Sequence, residues 1–323
     1  MEDYKIYDIT KVDPIDIEQM GTKYKFWYKN ENGQLVLFKA TLSTDVNGNA
    51  VQRDGEDWAE KIACEICKIL GIPCANYELA INDGQRGIIT ENFVDSNENM
   101  QYGNSLVDNL YTALEMPPLE LNQSHRIPEI ITCLRAYVQN KPKNWSSLPK
   151  IKTAENVFSG YLMLDVLISN QDRHNENWGA IVGSRKHKYL APTFDHAASL
   201  GRNESDEKRL SRLETNDKGQ SISNYVKKAK SQILAQDFKR LKTIDAFYLF
   251  SSITSPDAGL SWLKRLESVG DDIFKAVIDR IPLTIMSEVS KRFSYNIIVE
   301  NKKRLLELVP LLEKDLKKVS NNE

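Results

Sequence analysis

Asp172 and Asn177 stand five residues apart in Asn170-Gln171-Asp172-Arg173-His174-Asn175-Glu176-Asn177-Trp178. A second carboxylate, Asp195, follows the short segment Leu190-Ala191-Pro192-Thr193-Phe194. These residue types suit phosphoryl transfer. One carboxylate orients the attacking hydroxyl, while an amide oxygen and a second carboxylate hold magnesium on nucleotide phosphates. A solvated turn, with Asp and Asn bonding their own backbone, would account for the loop alone. It accounts less well for a second Asp that a short β-like segment aims back at Asn177. His174 reads as a residue that fixes the loop, because an Asp is better placed to take a hydroxyl proton. His187 and His196 show no metal-binding pattern.

Negative groups of this kind need cations for the phosphates. Lys39 ends an apolar run, Leu37-Phe38, from which its side chain can reach inward. A carboxylate must hold it there, and the next helix offers Glu56, Glu60 and Glu65. Glu60 lies in the first turns, at the edge of the apolar stripe, where a lysine-pairing glutamate belongs. An isolated strand-edge lysine would be read as solvated; beside the Asp/Asn/Asp set it reads as functional. Gly21-Thr22-Lys23-Tyr24-Lys25 opens the same hairpin, and its backbone amides and lysines can cover phosphates, although a plain turn would look the same. Neither G-x-x-x-x-G-K-[ST] nor G-x-G-x-x-G occurs in the chain.

Residues 23–29 and 34–40 alternate polar and apolar around Asn30-Glu31-Asn32-Gly33, a β-hairpin pattern. Residues 41–55 are polar and read as a loop. A helix is expected over 57–70, with Trp58, Ile62, Ala63, Ile66 and Leu70 on one stripe, stopped by Gly71 and Pro73. Two further strands are expected over 76–81 and 86–93. From about residue 104 the pattern turns helical, with helices over 106–115, 127–139, 154–169, 221–232, 235–250, 257–268, 271–280 and 284–315. The polar segment 201–220 reads as a loop. The composition shift divides the chain into a β-rich part, 1–95, expected to bind the nucleotide if the lysine and carboxylate set acts on phosphates, and a helical part, 96–323, joined near a polar hinge at 95–99.

With 41% hydrophobic residues over 323, the chain can build a sizeable core in two lobes. The net charge is −2, so bulk composition does not suggest a basic nucleic-acid-binding face, while a local basic patch stays open. The Lys-rich runs near 226–242 and 302–318 read as solvated helix faces. Cys64 and Cys67 form C-x-x-C, but no second pair completes a zinc set, and a buried place on the helix is the simpler role. No signal-peptide pattern and no run approaching a membrane span is present, so a reduced cytoplasm is expected.

The spacing from Asp172 to Asn177 equals that of H-R-D-x-x-x-x-N in protein kinases. More specifically, 168–179 together with 190–195 resembles the catalytic signature of HipA-like serine/threonine kinases, in particular their short, single-domain, CtkA-like members. The resemblance spans roughly 15–200. It implies an α+β, two-lobed fold like that of protein and phosphatidylinositol kinases, with ATP and Mg2+ as cofactors and a protein Ser/Thr hydroxyl as acceptor. It makes Asp172 the catalytic base and Asn177 and Asp195 the magnesium ligands. Phe38-Lys39 corresponds to the strand bearing the phosphate-binding lysine, and Glu60, eleven residues before Gly71, to its helical glutamate. Gly21 and Lys25 match a G-x-x-x-K loop over the phosphates, and Thr90-Glu91-Asn92-Phe93 falls at the hinge to adenine. The resemblance also implies a toxin with a helix-turn-helix antitoxin partner, and no direct contact with nucleic acid or membrane. The extra N-terminal domain of full-length members has no counterpart. The positions one and three before the loop glycine, serines in some members, are Met20 and Glu18, so phosphorylation there is not expected. A lipid or small-molecule kinase, and a nucleotide-binding pseudokinase, are the alternatives on the same fold.

Overall fold

The computed structural model describes residues 2–17, 23–45, 47, 49–117, 124–183 and 187–321. The first strands are β1 (Ile6–Asp8), β2 (Asp16–Ile17), β3 (Lys23–Lys29), β4 (Leu35–Thr44) and β5 (Ala50–Gln52). β3 and β4 form the expected antiparallel hairpin, with Phe26 opposite Phe38 and Lys25 opposite Lys39. Within the segment expected as a loop, 41–55, residues 41–44 end β4 and 50–52 form its partner β5. Helix α1 (Glu56–Leu70) buries the predicted stripe and ends at Gly71, whose φ of 72° is the left-handed stop that glycine allows. β6 (Tyr77–Asn82) and β7 (Gln85–Glu91) follow. Among the described residues the strands order as β1-β6-β7-β4-β3-β2, with β5 beside β4. Only β1 on β6 is parallel among these pairs.

β8 (Asn99–Tyr102) begins at the polar 95–99 stretch and leads directly into α2 (Gly103–Ala113), which α3 (Ile127–Ala136) and α4 (Ala154–Leu167) follow. α4 is apolar on all sides and almost wholly buried, as the central helix of a bundle must be. A capping box between Thr153 and Asn156 fixes its start. β9 (Gly179–Val182) pairs with β8 on one side and β10 (Lys188–Leu190) on the other in a small antiparallel sheet. The polar stretch 201–220, expected as a loop, contains α5 (Asp206–Glu214).

The run 226–242 also departs from expectation. It is not a pair of helices but the end of α6 (Ile222–Lys227) and a hairpin of β11 (Lys230–Leu234) and β12 (Arg240–Lys242). Buried Ser231 and Ile233 alternate with outward Lys230 and half-buried Gln232, a period of two rather than 3.6. The remaining helices are α7 (Thr243–Thr254), α8 (Pro256–Glu267), α9 (Asp271–Asp279), α10 (Glu288–Leu306) and α11 (Val309–Ser320). The last two replace the single expected helix 284–315, with Pro310 in the first turn of α11. Cys64 and Cys67 are buried free thiols on α1. No described helix is long and apolar enough to cross a membrane.

Candidate active site

The loop after α4 is built around a buried charge pair. Ser169 turns the chain with φ 52°. Arg173, 1% exposed, then reaches back to Asp165 with Nε and Nη2, at 2.9 and 2.8 Å from its two carboxylate oxygens. A third guanidinium nitrogen, Nη1, donates to the Asn177 carbonyl at 2.7 Å. Removing one partner of so buried a pair typically costs about 3–5 kcal/mol. Asn170 joins the network, donating to Asp165 and accepting from the Asp172 amide. The Asn177 side-chain NH2 donates to the Asp172 carbonyl at 2.7 Å. That bond spends the amide nitrogen and leaves Oδ1 as the acceptor end. Asp172 and Asn177 therefore hold each other's place, and His174 adds an Nδ1 contact to the Glu176 amide.

Asp195 comes from a different direction. Thr193 bridges to Cys74 beyond the end of α1, through Ala75 N to Thr193 O and Thr193 N to Pro73 O, both 2.9 Å. Asp195 itself is left-handed, φ 56°, and its amide donates to the Tyr77 hydroxyl. Its carboxylate takes the Lys39 ammonium at 2.8 Å.

The expected Lys39–Glu60 pair is not formed among the described residues. Glu60, wholly buried, accepts the His196 amide at 2.8 Å through Oε2, while its Oε1 has no hydrogen-bond partner. Burial by itself would lower the Lys39 pKa, but the carboxylates of Asp195 and, next, Glu60 outweigh it and hold the ammonium above its ordinary value. Lys39 and Glu60 line the same small void, beside Ile88 and Ala197.

Lys25, Lys39, Glu91, Phe93, Asn177 and Asp195 line one cleft of about 460 Å3. Ile88, Leu37, Met100, Tyr102 and Phe194 add an apolar and aromatic lining, with Phe194 packed on Phe93 at 5.9 Å and on Tyr102 at 6.4 Å. Asp172 and Glu60 do not line it; Asp172 is half-buried at its edge of the loop. Gly21, Met20 and Glu18 lie outside the described residues.

Sequence reasoning missed three contributors. Tyr102 and Met100 arrive on β8, just past the polar hinge at 95–99, where no site residue is expected. Arg202, nearly buried, pairs with Glu56 at 2.9 Å and lies in the field of both Asp172 and Asp195. Burial, the dominant effect, lowers its pKa. No spacing marks Arg202 in the sequence; only the fold brings it to the two carboxylates. Lys25 sits directly across from Lys39 on neighbouring strands, and like charges so placed repel unless an anion comes between them.

Comparison with known proteins places these features in a family. Serine/threonine-protein kinase CtkA of Helicobacter pylori strain J99 is 24% identical over 292 residues, 89% of this chain and 81% of that protein. The crystal structure of a Helicobacter pylori proinflammatory kinase CtkA superposes with a TM-score of 0.72 at 19% identity, covering 96% of this chain and 98% of that one. The fold is thus the α+β kinase-like fold. A weaker likeness, TM-score 0.48 at 10% identity over 97% of this chain and 70% of the other, is to HipA of Shewanella oneidensis solved with HipB and operator DNA. The family model for the HipA-like C-terminal domain matches residues 14–252, well over half the chain, and the chain belongs to that family.

Proposed function

We propose that this chain is an ATP- and magnesium-dependent serine/threonine protein kinase, with the nucleotide held between the sheet part, 1–95, and the helical part, 96–323. One observation carries the proposal: Lys39, Asn177 and Asp195, from three separate parts of the chain, meet in a single cleft that apolar and aromatic side chains also line. Such a cleft matches a ligand with a flat heteroaromatic end and a polyanionic end. The relative CtkA is named a serine/threonine-protein kinase, which supports carrying the activity to this chain.

The donor set fits magnesium. Asn177 Oδ1 and the Asp195 carboxylate are hard oxygens, and among the described residues no cluster of three or more His, Cys, Asp or Glu is assembled to hold an ion. An ion held by one or two protein oxygens, with phosphate and water completing the shell, is the magnesium pattern. When bound, the metal supplies charge neutralisation to the phosphates.

The chain's own groups do the rest. Lys39 and Lys25 face the phosphate end. The unpartnered Glu60 Oε1 offers Lys39 a second anchor when Asp195 turns to the metal. Glu91 and Phe93, with Phe194, hold the base. Asp172, fixed through its backbone by Asn170 and Asn177, accepts the proton of the acceptor hydroxyl. Arg202 holds positive charge near both carboxylates. Membership of the HipA-like family also supports a toxin's role with a helix-turn-helix antitoxin as partner.

Transfer of the γ-phosphate from ATP to peptide pools and to small alcohols, with and without magnesium, tests the assignment. Transfer to peptides is expected, with Asp172→Asn and Asp195→Asn each lowering the rate by about a hundredfold or more. Equal rates in all three proteins would defeat it, and transfer to alcohols alone would move the acceptor to small molecules.

A further inference from the structure

The Lys-rich run that sequence periodicity had put on helix faces is instead attached to the loop carrying Asp172. The β11–β12 hairpin bonds Gln171, the residue before Asp172, three times. The Lys230 amide donates to Gln171 Oε1 at 3.3 Å, Gln232 Nε2 donates to the Gln171 carbonyl at 3.1 Å, and Arg240 Nη2 donates to the same carbonyl at 3.4 Å.

Residues 227–242 carry six cations, Lys227, Lys228, Lys230, Lys239, Arg240 and Lys242, against one acid, Asp237. All six are exposed. Asp237 is taken by Lys239 at 2.8 Å, while Lys227, Lys228, Lys230 and Lys242 form no ion pair among the described residues. Lys230 and Lys242 are moreover direct cross-strand partners. Like charges so opposed weaken a two-stranded ladder, and protection of a sheet edge needs charge but not charge of a single sign. The chain as a whole is net −2, so the cation excess is local to this strip.

We propose that the β11–β12 hairpin is the docking face for the acceptor chain, and that it selects protein segments with acidic residues beside the phosphorylated Ser or Thr. The assignment deepens, and rests on, the kinase function proposed above. A chain that presents its hydroxyl to Asp172 passes next to Gln171, and its flanking side chains then lie over the hairpin. Complementary charge there raises encounter and fixes register. A single-stranded nucleic acid would want aromatic platforms among the cations. The strip has one aromatic, Phe238, and the Arg126 guanidinium already covers its ring at 5.2 Å.

The test uses the full chain and two labelled peptides, identical but for Glu or Gln flanking one Ser. Fluorescence anisotropy without nucleotide measures binding, and magnesium-ATP assays measure transfer. Wild-type protein should bind the Glu-flanked peptide about tenfold more tightly, with the advantage fading as salt rises. Lys230→Glu/Lys242→Glu should abolish the preference, and Lys230→Gln/Lys242→Gln should reduce it. Both variants should keep wild-type circular dichroism and a kcat on the Gln-flanked peptide within about twofold of wild type. Equal affinity of the wild type for both peptides, or a preference that survives Lys230→Glu/Lys242→Glu, overturns the docking face. So does an RNA oligonucleotide that binds more tightly than the Glu-flanked peptide and is lost in the same variants. Binding preference without phosphate transfer would instead retire the kinase function and leave the face standing; transfer without preference would retire the face alone.

Discussion

The residues nearest the proposed chemistry are held by others that never touch the cleft, and His125 is the one whose protonation exposes this. It is 4% exposed, and its Nε2 accepts the indole N–H of Trp178, the residue after Asn177, at 3.2 Å. Phe158 packs edge-on against the same indole at 5.4 Å. Burial drives the His125 pKa down to about 3, because a charged imidazole there would lose its water and, at Nε2, its role as acceptor. The native state therefore binds fewer protons than the unfolded chain between about pH 3 and the ordinary histidine value near 6.5. Above that value His125 imposes no penalty. As pH falls below it, the unfolded chain takes up a proton that the native chain refuses, and stability drops by about 1.4 kcal/mol per pH unit. From pH 6.5 to 5 the loss should be about 2 kcal/mol, read as a falling urea midpoint. His125→Gln keeps an acceptor for Trp178 and removes the titration, so its midpoint should stay flat over that window. Parallel curves for the two proteins would show that another group governs the acid limb. Nothing in the sequence marks His125: it lies 53 positions from Trp178, and its partner is known only once α3 and the loop meet.

At the scale of elements, the loop carrying Asp172 and Asn177 is braced by the start of α2. Gly103 N–H donates to the Trp178 carbonyl at 2.9 Å, and Asn104 N–H to the Asn175 carbonyl at 3.0 Å. These are two of the amides a helix start leaves unpaired, here used to hold another segment. Contact is so close that a Cβ on Gly103 would overlap the Trp178 indole and the Asn175 carbonyl, both parts of a packed interior. Gly103→Ala should therefore move the loop, lowering stability by about 1–3 kcal/mol and transfer activity by about tenfold or more. Thermal unfolding together with kcat measures both; unchanged values would mean the loop is positioned without α2. Elements whose contacts are local were legible in the chain. The β3–β4 hairpin followed from alternation around Asn30–Gly33, α1 from its stripe and Gly71, and the family from the loop 168–179 with 190–195. Elements defined by distant partners were not. β5 and the β11–β12 hairpin are short, polar strands whose pairing outweighs a helix-like or loop-like composition. The place of Glu60 at the edge of the α1 stripe points to a pair with Lys39, whereas the ammonium bonds Asp195, 156 residues away.

For the whole molecule, the way the apolar core divides predicts which part moves. One core joins Trp58, Ile62, Ile66 and Leu70 of α1 to α2, α3, α4 and the later helices. Polar contacts add to it. Arg265 of α8 donates to the Ile69 and Leu70 carbonyls at the end of α1, Trp145 to the Gly71 carbonyl, and Arg86 joins Asp57 of α1 to the Ile285 carbonyl. α1 is thus fastened to the helical part, although it is continuous in sequence with the sheet. Phe26, Tyr28, Val36, Phe38 and Ala40 form a separate, smaller core on β3 and β4. Lys25 and Lys39 ride on that ribbon, and the Lys39 ammonium bonds Asp195 from the helical part. Segments with fewer shared apolar contacts open at lower free energy. Binding of ADP with magnesium should consequently slow amide exchange in residues 23–44, as the ribbon closes on the phosphates, and leave the interior of α1 at its already slow rate. In Lys39→Ala the ribbon should lose most of that added protection while α1 stays as before. If α1 gained protection in step with the ribbon, the two would close as one body, and the division of the core would not govern the motion.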